Sequence, residues 1–177
     1  MNTVTLRRFD LADADAMMSW ASDPVVTAFL NREPYEPVEP IAFIRDTVLP
    51  HPWFRAICLA GDGPVGEVSV TPTEDRCRAE LGITLARAHW GMGVATAALK
   101  RVLATVYADL DGVERVEALV DVDNAAARRA LEKAGFQQEA VMRSYCVVKG
   151  LLRDMVIYSF ISTDPLVERT MHVSLSS

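Results

Sequence analysis

The chain has few of the residues that build covalent or metal-held frameworks. Its three cysteines, Cys58, Cys77 and Cys146, are scattered, odd in number and form no C-x-x-C pair. That excludes a disulfide scaffold and a structural zinc site. His51, His89 and His172 show no H-E-x-x-H spacing, so no metal is expected. No apolar run approaches the roughly 20 residues of a membrane-spanning helix. The opening "MNTVTLRRFDLADADAMM" has arginines but no apolar segment behind them, so no secretory signal is expected. Positive charge is also in deficit, with 18 Lys and Arg against 24 Asp and Glu, a net of −6. No nucleic-acid partner and no membrane partner are expected. An acidic chain is compatible with a basic partner such as an amine, although mild acidity is also an ordinary aid to solubility. These absences together describe a reducing, cytoplasmic protein.

What is present is an ordinary globular composition. Half of the 177 residues are hydrophobic and 24% are charged, which suits one domain with a sizeable core. Residues 1–165 read as that domain and 166–177 as a loose tail. "TVTLRRF" alternates apolar and polar residues and predicts a strand. Asp10 caps a helix over "LADADAMMSWAS", with Leu11, Ala14, Met17 or Met18, and Ala21 at helical spacing. "EPYEPVEP" carries three prolines and reads as a loop, and a second helix follows to Leu49, before Pro50. "FRAICLA", "PVGEVSVT" and "CRAELGITL" form an antiparallel meander between turn residues. A helix from about Gly91 to Leu110 presents Val94, Ala98, Val102, Val106 and Leu110 on one stripe. Then come the strand "RVEALV", a helix over "DNAAARRALEKAGF" closed by Gly135, and the strands "AVMRSYCVV" and "DMVIYSFI". The order is βααβββαβαββ, a mixed α+β class with one parallel crossover from "ELGITL" to "RVEALV".

The stretch "HWGMGVAT" places Gly91 and Gly93 where the long helix begins. A helix N-terminus exposes free N–H groups and partial positive charge, and small residues there let an anion approach closely. Two phosphate motifs fail. A dinucleotide fingerprint needs glycine at position 96, which is Thr96, and "GVATAALK" supplies no G-K-[ST] for a Walker loop. Taken alone, the pair is weak evidence, because most such pairs are turn or packing glycines.

"HWGMGVATAALKRVL" resembles the cofactor motif [R/Q]-x-x-G-x-[G/A] of the GNAT acyltransferase superfamily, with Trp90, Gly93 and Ala95 in register. Tryptophan at the first position is similar to the RimJ/RimL-type branch, the ribosomal-protein N-acetyltransferases, whose glutamate is here Ala97. Downstream, Asn124, Leu131, Glu132, Lys133, Gly135, Phe136, Glu139, Gly150, Asp154 and Tyr158 fit that branch's second motif. The resemblance covers nearly the whole chain. It implies a GNAT fold: a central, mostly antiparallel sheet, helices on both faces and a splayed parallel strand pair at the cofactor site.

The resemblance also implies that acetyl-CoA is the co-substrate, wedged between "ELGITL" and "RVEALV". Backbone N–H groups of Gly91, Met92, Gly93, Val94, Ala95 and Thr96, with Trp90 beside them, would hold the pyrophosphate. Ile83, Thr84 and Leu85 would meet the pantetheine arm, with the Leu85 backbone polarising the thioester carbonyl. Asn124 would bond the same arm, and reads locally as a plain helix N-cap as well. The implied reaction is direct acetyl transfer to a primary amine: a protein N-terminal amine, a polyamine or another small amine. A base must take the amine proton. Glu80 is the first candidate, because the resemblance implies a glutamate on this strand and its alternation with Gly82 and Thr84 suits the acceptor side; Glu67 is the second. The superfamily's tyrosine acid falls at Leu131 and the branch serine at Ala127, so both are missing. Tyr145 is the remaining candidate acid. Arg128 and Arg129 read as a solvated face with a chance of meeting the CoA 3′-phosphate. Monomer or homodimer is the family expectation. A non-catalytic acyl-CoA-binding module, or a plain α/β domain with packing glycines, fits the same residues.

Overall fold

The computed structural model describes residues 3–30, 33–34, 36 and 39–167. Most of the expected tail, 168–177, and part of the proline-rich loop, including Tyr35, Pro37 and Val38, lie outside the described residues.

Strand β1 (Val4–Arg7) leads to a reciprocal cap. The Asp10 carboxylate accepts from the Ala12 N–H, and the Asp13 carboxylate accepts from the Asp10 N–H, both at 2.9 Å. The cap starts a 3-10 turn, Leu11–Asp13, before helix α1 (Ala14–Ala21). That turn carries Leu11 out of the expected stripe and into solvent, while Met17, Trp20 and Ala21 are fully buried. Helix α2 (Glu39–Phe43) runs on as a π-helical turn, Ile44–Val48. Both helices pack on the inner side chains of β2 (Phe54–Leu59), namely Phe54, Ala56 and Cys58.

The meander is completed by β3 (Gly63–Pro72) and β4 (Arg78–Leu85). Helix α3 (Val94–Asp109), β5 (Arg115–Asp121), α4 (Ala125–Ala134), β6 (Gln137–Val148) and β7 (Leu151–Ile161) follow, in the order read from the sequence. The seven strands form one sheet, ordered β1-β2-β3-β4-β5-β7-β6. Every neighbour pair is antiparallel except β4–β5, which is parallel. The larger core lies on the face opposite α1 and α2. There Val94, Ala98, Val102, Val106 and Leu110 meet Val68, Val70, Leu81 and Val116. Helix α3 starts with its apolar stripe at Val94, three residues after the expected start near Gly91, because Gly91 and Gly93 hold left-handed backbone that no helix continues. Helix α4 is tied down by a buried tyrosine. The Arg128 Nε–H donates to the Tyr158 hydroxyl (3.2 Å), and that hydroxyl donates to Glu132 (2.8 Å).

Candidate active site

Strands β4 and β5 share three register pairs, Arg78–Arg115, Ala79–Val116 and Glu80–Glu117. They continue to Leu85 and Asp121 with no further pairing to each other. Their outer ladders fix where the backbone groups point. The Ala86 N–H donates to the Val65 carbonyl (2.8 Å), beside the pair Gly66–Leu85. That makes Gly66–Leu85 a non-hydrogen-bonded pair, so the N–H and C=O of Leu85 turn away from β3 toward β5. The two-residue period gives Ile83 the same orientation. Across the gap, the Val122 N–H donates to the Asp154 carbonyl (3.1 Å), beside the pair Asp121–Met155. The backbones of Asp121 and Leu119 therefore face β4. The gap is a strand edge inside a sheet, and it suits an extended amide-bearing chain that hydrogen-bonds as a strand would.

At the open end of this gap stands the N-terminus of α3. Gly91 and Gly93 have φ of +73° and +77°, and a side chain at either would meet no atom within 4 Å. The requirement is for left-handed backbone, not for space. The first intrahelical bond runs from the Ala97 N–H to the Gly93 carbonyl (3.0 Å). The N–H groups of Val94, Ala95 and Thr96 are thus left for a ligand. Gly93 offers no side chain to cap them. Strand edge and helix terminus meet in one cleft of about 580 Å³.

Of the residues expected at the cofactor, Ile83, Thr84, Leu85, Trp90, Gly91, Gly93, Val94, Ala95, Thr96 and Asn124 all line this cleft. Met92 does not. It sits between the two left-handed glycines, exposed to solvent. Asn124 fills both readings: its Oδ1 accepts from the Ala127 N–H (3.2 Å) as the α4 cap, which leaves its amide N–H groups for the cleft. Leu131 and Ala127, at the positions of the missing tyrosine and serine, also line it. Arg129 and Lys133 add a cationic rim one helical turn apart, whereas Arg128 bonds Tyr158 and the Val122 carbonyl instead. Lys133 escapes a reading of the sequence that treats α4 charges as a solvated face. Its i,i+4 spacing from Arg129 was the available signal.

The two acid–base candidates ranked first lie outside the cleft lining. Glu80 is exposed and belongs to the last β4–β5 register pair, before the strands part. Tyr145 is half-exposed on an irregular stretch of β6, where register shifts between Met142 and Cys146. Glu67 is placed differently. It is 7% exposed, accepts from Trp20 Nε1–H (3.0 Å), and is the cross-strand partner of Thr84, which lines the cleft. Directly opposed side chains share one sheet face about 5 Å apart. On this α1 side a second cavity, about 350 Å³, adjoins the cleft through Phe29 and Asp121. It is lined mainly by Pro24, Ala28, Phe29, Val148 and Leu151, together with Lys149 and the Arg153–Asp121 pair. The Arg153 guanidinium reaches Asp121 Oδ1 at 2.8 Å and holds that carboxyl below the usual range. Among the described residues no cluster of three or more His, Cys, Asp or Glu could hold a metal ion, and no helix is long and apolar enough to cross a membrane.

Known proteins share this architecture. The family model described as "Acetyltransferase (GNAT) domain" matches residues 3–137. The uncharacterised N-acetyltransferase p20 of Bacillus licheniformis is 31% identical over 168 residues, covering 91% of this chain and 94% of its own. YdaF of Bacillus subtilis, provisionally named a ribosomal N-acetyltransferase, is 30% identical over 87 residues, covering 49% of this chain and 47% of its own. That relative is consistent with the RimJ-like branch. Spermidine N-acetyltransferase of Vibrio cholerae, solved with CoA and spermine, superposes with a TM-score of 0.78 at 20% identity, over 90% of this chain and 96% of that one. A sheet parted between β4 and β5, a glycine-opened helix at the gap and a family model spanning most of the chain agree: the protein belongs to the GNAT acetyltransferase family, for which acetyl-CoA is the fitting co-substrate.

Proposed function

We propose that this protein is an acetyl-CoA-dependent N-acetyltransferase acting on a primary amine in the cytoplasm. The observation that carries the reading is the strand gap, where β4 and β5 pair no further with each other and which ends at the free N–H groups of α3. When bound, acetyl-CoA supplies an activated acetyl thioester. The backbones of Ile83 and Leu119 offer the pantetheine amides a strand-like partner, and the α3 terminus faces the pyrophosphate. The Leu85 N–H is set to donate to the thioester oxygen. The acceptor nitrogen enters from the α1 side, a C–N bond forms and the C–S bond breaks. Glu67, beside Thr84 on that face, takes the amine proton, directly or through water. A thiolate is a tolerable leaving group, so Leu131 and Ala127 in place of hydroxyl residues do not block the reaction.

The mainly apolar second cavity, with Asp121 neutralised by Arg153, favours an amine on an apolar body over a linear polyamine. A panel of peptides with apolar first residues, amino-acid amides and spermidine, assayed with acetyl-CoA, tests the activity. Apolar amines should be acetylated in preference to spermidine. Glu67→Gln should lower kcat by about a hundredfold or more, the range general-base loss removes. Binding of acetyl-CoA without turnover on any amine would instead support a non-catalytic binding module.

A further inference from the structure

The Trp90 side chain has one polar atom, and that atom is used. Its Nε1–H donates to the Leu85 carbonyl at 2.9 Å. The strand pattern gives this bond its meaning. Both backbone groups of Leu85 face the gap, an N–H that can donate to a thioester oxygen and a carbonyl that would repel it. The indole occupies the carbonyl and leaves the N–H as the free group at the strand end. The same bond ties the end of β4 to the residue just before Gly91 and Gly93. It thereby fixes the spacing between the thioester end and the pyrophosphate end of the cleft.

We infer that Trp90 is a positioning residue for acetyl transfer: its indole N–H masks the Leu85 carbonyl so that the strand end presents only a donor to the thioester. The inference rests on the proposed acetyl-CoA site. It also explains the departure of this chain from [R/Q]-x-x-G-x-[G/A]. Tryptophan, glutamine and arginine all carry an N–H at the ε position, the same number of bonds from Cα. What the position demands is that donor, not a charge or an amide.

Trp90 is 44% exposed and belongs to neither hydrophobic core, so its variants should fold. The test uses acetyl-CoA labelled with ¹³C at the acetyl carbonyl and needs no acceptor. Isotope-edited infrared spectra of the bound thioester report its polarisation, and calorimetry reports its affinity. Wild type should show the carbonyl band shifted to lower frequency on binding. Trp90→Phe should bind acetyl-CoA but lose most of that shift, and Trp90→Gln should restore it. A full shift retained in Trp90→Phe, or lost equally in Trp90→Gln, overturns the inference while leaving the acetyl-CoA site standing. No binding by the wild type overturns the site and the inference together.

Discussion

Replacing Gly93 separates the two demands placed on the α3 terminus. At φ +77° and ψ 5° the residue is left-handed, and a Cβ there would meet nothing within 4 Å. Gly93→Ala therefore carries a backbone cost alone, about 1–2 kcal/mol. In a domain of this size each kcal/mol moves the midpoint by about 2–4 °C, so Tm should fall by roughly 2–8 °C. The N–H groups of Val94, Ala95 and Thr96 stay where they are, and acetyl-CoA should still bind. Gly93→Glu has the same backbone cost and adds a carboxylate beside the pyrophosphate. At about 6 Å and an effective dielectric of 20, each opposed unit charge costs about 2.8 kcal/mol before salt screening, near a hundredfold in affinity. The assay is thermal unfolding with and without acetyl-CoA. At a hundredfold excess over Kd the ligand adds about 2.7 kcal/mol, a rise of about 5–10 °C. The rise should survive in Gly93→Ala and vanish in Gly93→Glu. A Gly93→Ala protein as stable as wild type, or a Gly93→Glu protein that keeps the ligand-induced rise, would refute the reasoning.

Asn124 can be divided in the same way. Asn124→Asp keeps the α4 cap but loses the amide donors, so Tm should hold while acetyl-CoA affinity falls; Asn124→Ala should lose about 1 kcal/mol of stability as well. Calorimetry and thermal unfolding on the two variants check this. On β6, the Arg115 guanidinium grips Glu139 at 2.7 and 2.8 Å, and Ser159 donates to it, which lowers its pKa to about 2. A carboxyl held below its unfolded value of 4.5 stabilises the fold above that pH, and the contribution is lost as pH falls toward 2. Urea unfolding across this window should show Glu139→Gln with a flatter pH dependence than wild type.

The order of elements and the two-sided sheet were legible in the sequence because each segment carried its own period and its own stop signal. The α3 stripe from Val94 to Leu110 is buried as its spacing implies, and Asn124 and Gly135 bound α4 as expected. The lining of the cleft was legible for the same reason: much of it comes from two runs of the chain, 83–85 and 90–96 without Met92, and a motif records such runs directly. A run of letters does not show that left-handed glycines on both sides turn the Met92 side chain out of the cleft lining. The sequence did not separate the two candidate bases. Glu80 and Glu67 look alike as strand carboxylates on the same sheet face. Only the register separates them, by ending the β4–β5 ladder at Glu80 and setting Glu67 opposite Thr84. Leu11 failed through a 3-10 turn, whose three-residue period shifts a side chain off an α-helical stripe.

The central claim is that the parted strands β4 and β5 take the co-substrate as a strand takes its neighbour. Hydrogen–deuterium exchange of the wild-type protein, read at single amides with and without acetyl-CoA, tests it most directly. Exchange should slow at Ile83, Leu85 and Leu119 and at Val94–Thr96, with β1 and β2 unchanged. Slowing confined to other segments, or none at saturating acetyl-CoA, would contradict the claim.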